Sequence, residues 1–123
     1  SYTEKVKVIR LDDWAAIEHF NRLDFIKIDV EGNEMKTLSG AREVICRFLP
    51  VLMVEMEQRH HATPIWQEIS EVESWGYDAH YLNRNDFELE KLTQDTLLKN
   101  TSDEKNKKDY INNIIFIPKV NKK

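Results

Sequence analysis

A chain of 123 residues has room for one domain or part of one, and a chain of this size buries roughly two thirds of its unfolded surface. A hydrophobic fraction of 41% with 33% charged residues suits a soluble globular domain better than a disordered chain, and the net charge of −4 argues against broad attraction to nucleic acid or anionic lipid. No apolar run approaches the roughly 20 residues of a membrane span, and the first ten residues do not read as a secretion signal. The single cysteine, Cys46, permits no intrachain disulfide. It falls within a helical pattern and is expected as a small core residue, and a lone thiol accords with a reducing cytoplasm. A start at Ser1 instead of Met suggests processing or excision from a longer chain. The only glycines are Gly32, Gly40 and Gly76, so no Gly-x-Gly nucleotide loop can be built.

In chain order, alternation over Lys5–Leu11 predicts a short strand. Asp12 or Asp13 then stands where a helix N-cap belongs, before Trp14, Ile17 and Phe20 at helical spacing. Phe25–Val30 is the clearest strand. Ile26, Ile28 and Val30 face one way and Phe25, Lys27 and Asp29 the other, and the near-continuous apolar character predicts burial on both faces, as in parallel sheets. A turn at Gly32 and Asn33 leads to a helix whose stripe is Met35, Leu38, Ala41, Ile45 and Phe48. Gly40 within it either allows close helix–sheet contact or breaks the helix in two. Pro50 opens a strand through Met56. Thr63 and Pro64 read as N-cap and first turn of a helix buried through Ile65, Ile69 and Val72, with Gly76 as its C-terminal stop. Tyr77–Leu82 is a further strand. Residues 83–110 are polar, with one or two helical turns possible over Leu92–Leu98 and a polar loop over 99–110. Asn113–Pro118 is the last strand. Alternating strands and helices predict one α/β unit over 1–123 with a doubly wound sheet, in which Phe25–Val30 and Val51–Met56 are parallel neighbours.

Ligands of open α/β sheets bind beyond the carboxyl ends of the strands. Two strands here end in acids, one at Asp29 and Glu31, the other at Glu55 and Glu57. With neighbouring strands about 4.8 Å apart, Asp29 and Glu55 would repel by roughly 3 kcal/mol at an effective dielectric of 20. Lys27, a metal ion or a retained proton would offset this, and each prepares a binding or catalytic site. The plainer alternative is an ion pair of Lys27 with Glu55, with Asp29 capping the turn and Glu31 favourably placed at a helix N-terminus. His60 and His61 follow the second acidic strand and suit either a base or an exposed loop.

The run Phe25-Ile26-Lys27-Ile28-Asp29-Val30-Glu31-Gly32-Asn33-Glu34, followed by Leu38, Gly40 and Ala41, resembles the signature of the FkbM family of methyltransferases. Leu11-Asp12-Asp13-Trp14, Pro50–Glu55, Gly76-Tyr77 and Asn113–Pro118 resemble further elements of that family, so the likeness spans most of Val6–Pro118. It implies a Rossmann-like methyltransferase sheet, mostly parallel with an antiparallel last strand and helices on both faces. It also implies methyl transfer from S-adenosylmethionine to a hydroxyl of a small molecule or sugar. By that resemblance Asp29 and Glu31 are the catalytic candidates, with Glu55, Glu57 and His60 on the substrate side. The family's glycine-rich cofactor loop and ribose-binding acid precede this region. The chain therefore resembles the C-terminal half of the domain, inactive or weakly active alone. Strand 25–30 would then be an open edge inviting self-association or pairing with another chain. Two other readings compete: a remnant kept for association, and a magnesium- or manganese-dependent hydrolase site on Asp29, Glu31 and Glu55.

Overall fold

A computed structural model describes residues 22–29, 32–57, 63–102 and 111–119, with only the backbone described for 99–102. The expected first strand and helix, Val30, Glu31, His60, His61 and residues 103–110 lie outside them. The elements are β1 (Phe25–Ile28), α1 (Glu34–Ser39), α2 (Arg42–Phe48), β2 (Val51–Glu55), α3 (Ile65–Glu73), β3 (Tyr77–Asn83), β4 (Glu88–Lys91), α4 (Gln94–Ser102) and β5 (Asn113–Pro118).

The described strands form one five-stranded sheet in the order β1-β2-β5-β3-β4. β1 and β2 are parallel neighbours, as their shared apolar pattern predicts. The expectation of a mostly parallel sheet is corrected: β2–β5, β5–β3 and β3–β4 are all antiparallel, leaving β1–β2 as the parallel pair. The reason is topological. β1, β2 and β3 run the same way, but the last strand inserts between β2 and β3, so each of those gains an antiparallel neighbour. β4 adds a hairpin at the far edge.

Alternation gives the sheet two unlike faces. Leu52, Val54, Ile114, Phe116, Tyr77 and Ala79 are fully buried on one. The helices supply the rest of that core, through Leu38 and Ile45 from α1 and α2 and Ile65, Ile69 and Val72 from α3. On the other face Val51, Met53, Ile115 and Ile117 are half-buried, and Leu82 and Leu89 are exposed. The expected double-sided burial of β1 is not met: Phe25 and Lys27 are exposed, and only Ile28 is buried. Among the described residues β1 is an edge strand with β2 as its neighbour.

Local chemistry explains the breaks. Of the two outcomes expected at Gly40, the break is the one found: the helix divides at Gly40 and Ala41, both buried, where Ala41 N–H donates to Leu38 O at 3.0 Å and a new helix starts. Cys46 lies on the outer face of α2 and is exposed, not a core residue, because the buried stripe passes through Val44 and Ile45. Leu49 adopts a left-handed φ of 47° to cap α2 before Pro50, which cannot continue a helix. α3 is capped by Pro64, one residue later than the expected Thr63. Gly76 stands at φ 113°, which an L side chain rarely adopts, and turns the chain into β3. The stretch expected to lack regular structure holds β4, and α4 takes residues 99–102 out of the predicted polar loop. Turn residues masked this hairpin: β4 reads Glu-Leu-Glu-Lys, with one apolar residue. Its hold on β3 is polar, since Tyr81 Oη and Asn83 Nδ2 each donate to Glu90 at 2.8 Å. Those bonds hold the Glu90 carboxyl below its ordinary range.

Phe87 ends the hairpin turn at φ 59° with 76% of its surface exposed. A side chain other than glycine pays about 1 kcal/mol for that backbone region and here recovers little by burial. Phe87→Gly is expected to raise stability by roughly 1 kcal/mol, read as a higher urea midpoint at unchanged slope.

Asp78 on β3 accepts from Lys119 Nζ at 2.8 Å and lies 3.6 Å from Lys91. The hydrogen bond from Lys119 is the first cause of its carboxyl lying below the ordinary range. A depressed folded-state value means the pair stabilises above the unfolded carboxyl value and loses that contribution as pH falls through the folded one. The stability gap between wild type and Asp78→Asn is therefore expected to close below about pH 4, with a modest amplitude because solvent screens both partners. Urea titrations at several pH values check this.

Candidate functional site

The site is assembled where β1 and β2 end together. Ile28 pairs with Val54, so one further residue on each strand sets Asp29 beside Glu55. Across β2, Glu55 faces Asn113 of β5. Continuing the β5–β3 register brings Leu82 opposite Asn113, and Leu82 pairs with Leu89 of β4. Neighbours across a sheet share a face, so Asp29, Glu55, Asn113, Leu82 and Leu89 form one row along the carboxyl edge, on the face opposite the main core. The next row reads Lys27, Met53, Ile115, His80 and Lys91.

Asp29 is exposed, and Glu55 and Glu57 are half-buried and have polar partners. Asp29 is exposed to water, which screens its repulsion from Glu55 below the roughly 3 kcal/mol expected at an effective dielectric of 20. Lys27 is exposed and is no buried counter-charge for Glu55. Met56 N–H donates to Asn112 O at 2.8 Å, so β5 braces the acidic end of β2. Between the two rows lies a notch of about 90 Å³ whose walls include Met53, Ile115, Ile111, Leu82, Asn113 and Arg84. Among the described residues no three His, Cys, Asp or Glu side chains gather as a metal site. Asp29 and Glu55 thus have no third described ligand for the hydrolase reading.

Of the predicted site residues, Asp29, Glu55 and Glu57 come together at one sheet edge, while Glu31 and His60 lie outside the described residues. Glu34 is the residue that sequence reasoning passed over. It opens α1 at the same end of the sheet and is 1% exposed, the one buried charged residue among those described. Its place in the run Glu31-Gly32-Asn33-Glu34 was the available signal. Asn113 and Arg84 reach the edge only through the β5 and β3 pairings, which local sequence does not encode.

In open α/β sheets ligands bind beyond the carboxyl ends of the strands, and here Asp29 and Glu55 stand at the carboxyl ends of two adjacent parallel strands. A family model for the methyltransferase FkbM domain matches residues 1–89, so the chain belongs to the FkbM methyltransferase domain family. The match ends within β4, before the Asn113–Pro118 strand. No curated protein and no solved structure matches the chain. No described helix is long and apolar enough to cross a membrane.

Proposed function

We propose that the chain forms the acceptor side of an S-adenosylmethionine-dependent O-methyltransferase with a Rossmann-like sheet. The observation that carries this reading is the juxtaposition of Asp29 and Glu55 at parallel strand ends inside the region matched by the FkbM domain. The Asp29 carboxylate accepts the proton of an acceptor hydroxyl as its oxygen becomes the nucleophile, and Glu55 and Glu57 orient the neighbouring polar groups. Glu31 belongs with Asp29 in this reading, and His60 with the substrate groups. The described residues do not fit the cofactor itself. The turn after β1 holds the single glycine Gly32, followed by a helix of only six residues, and no glycine-rich strand-to-helix turn is among them. No step is therefore assigned to the cofactor. We place the activity in the cytoplasm, where an exposed thiol such as Cys46 stays reduced.

The test is methyl-tritium transfer by the full-length gene product to a panel of sugar and natural-product alcohols. Labelled ether is expected. Absence of both methyl transfer and saturable cofactor binding by calorimetry would overturn the reading. The 123-residue chain alone is expected to bind the cofactor weakly, and tight binding would refute the half-site arrangement.

A role in association has its own observation. Phe25, on the described edge strand, is 52% exposed. Exposed apolar edges recruit further strands. The molar mass from light scattering is expected to rise with concentration, and Phe25→Lys to suppress the rise. A constant monomer mass at high concentration would rule this out.

A further inference from the structure

The notch beside the acids has a composition that a bare sugar does not need. Its walls mix apolar Met53, Ile111 and Ile115 with polar Asn112 and Asn113, and its rim carries Arg84. Arg84 is exposed, and among the described residues it has no ion pair. The volume of about 90 Å³ takes only a short apolar segment. Anything longer must continue along the row toward Leu82 and Leu89, which are 43% and 46% exposed and pair directly across β3 and β4. From β2 to β4 that row crosses three strand spacings, roughly 14 Å. Glu55 stands at one end of the row and leucines at the other, with a guanidinium at the side.

We propose that this surface is a specificity subsite for an amphipathic hydroxy acid. Its hydroxyl lies at the Asp29–Glu55 end, its apolar chain runs over Met53, Ile115, Leu82 and Leu89, and its carboxylate pairs with Arg84. The proposal rests on the methyltransferase reading for the meaning of the hydroxyl end, but the binding itself needs no cofactor. The physical logic is complementarity. Exposed leucines gain by covering their apolar surface, and a guanidinium fork favours a carboxylate over a neutral alcohol. The acids Glu55 and Glu57 disfavour an anion close to them, which keeps the carboxylate at the Arg84 side and so fixes the direction of binding.

Methyl NMR on the full chain tests this with three probes below their micelle concentrations, each with its polar groups at opposite ends: 10-hydroxydecanoate, decane-1,10-diol and 4-hydroxybutyrate. Hydroxydecanoate is expected to shift the Met53, Ile115 and Leu82 methyls saturably. The diol, without the carboxylate, and hydroxybutyrate, without the chain, should each bind about tenfold more weakly or worse. Arg84→Gln, at an exposed turn position that folding tolerates, should bring hydroxydecanoate down to the diol and leave the diol unchanged. Equal binding of diol and acid, an unchanged ratio in Arg84→Gln, or shifts spread over the sheet instead of the notch would each overturn the proposal. Binding as expected without any methyl transfer by the full-length product would count against the transferase reading alone.

Discussion

Asp29→Asn in the full-length gene product is expected to slow methyl transfer by about 10²–10⁴-fold at saturating acceptor, the usual range for loss of a positioned general base. Asparagine keeps the shape and a hydrogen-bonding oxygen but cannot take the hydroxyl proton. The residue is exposed and follows the last paired residue of β1, so the fold should not register the change. The melting midpoint is the control. Glu55→Gln should act differently. Glu55 ends β2 opposite Asn113 and is assigned to orientation, so its loss should raise KM more than it lowers kcat. A rate for Asp29→Asn within about threefold of wild type would remove Asp29 from the mechanism, since general-base loss costs far more.

Phe116→Ala is expected to cost about 3–5 kcal/mol, a large part of the stability of a domain this size. Phe116 is fully buried on β5, which stands between β2 and β3 and joins the parallel part of the sheet to the hairpin. Its ring meets Tyr77 edge to face at 6.3 Å. Tyr77 in turn donates its hydroxyl to Pro50 O, and burial pushes that hydroxyl well above the ordinary tyrosine value. Truncating Phe116 leaves a cavity against Leu52 and Ala79, its partners across the sheet, that a rigid strand pair cannot close. Urea unfolding measures the loss. A cost below about 1 kcal/mol would show that β5 does not hold the core, because cavities of this size are not that cheap.

Much of this protein was legible along the chain because period-two and period-3.6 patterns report local geometry. β2, α3, β3 and β5 stand close to where Val51–Met56, Ile65–Val72, Tyr77–Leu82 and Asn113–Pro118 place them. The acids at the strand ends were readable for the same reason. Asp29 and Glu55 end apolar runs, and acids at the end of a core strand are conspicuous. β4 escaped notice because its stability comes from Glu90 reaching Tyr81 and Asn83 across the hairpin, a pairing with no apolar signature. Cys46 was misplaced because the buried stripe of α2 runs one residue to its side.

The sequence by itself determined the apolar strands, the helix stripes, the acidic termini and the run around Asp29 that resembles the FkbM signature. The tertiary structure decided who stands beside whom. A strand's pattern records which faces are apolar but not which strand will lie alongside, and that choice follows from how the whole chain closes its core. β5 inserts between β2 and β3, which makes the sheet mostly antiparallel and brings Asn113 to Glu55. The same insertion sets Met53 and Ile115 beside Leu82 and Arg84, residues far apart in the chain, and so forms the notch next to the acids.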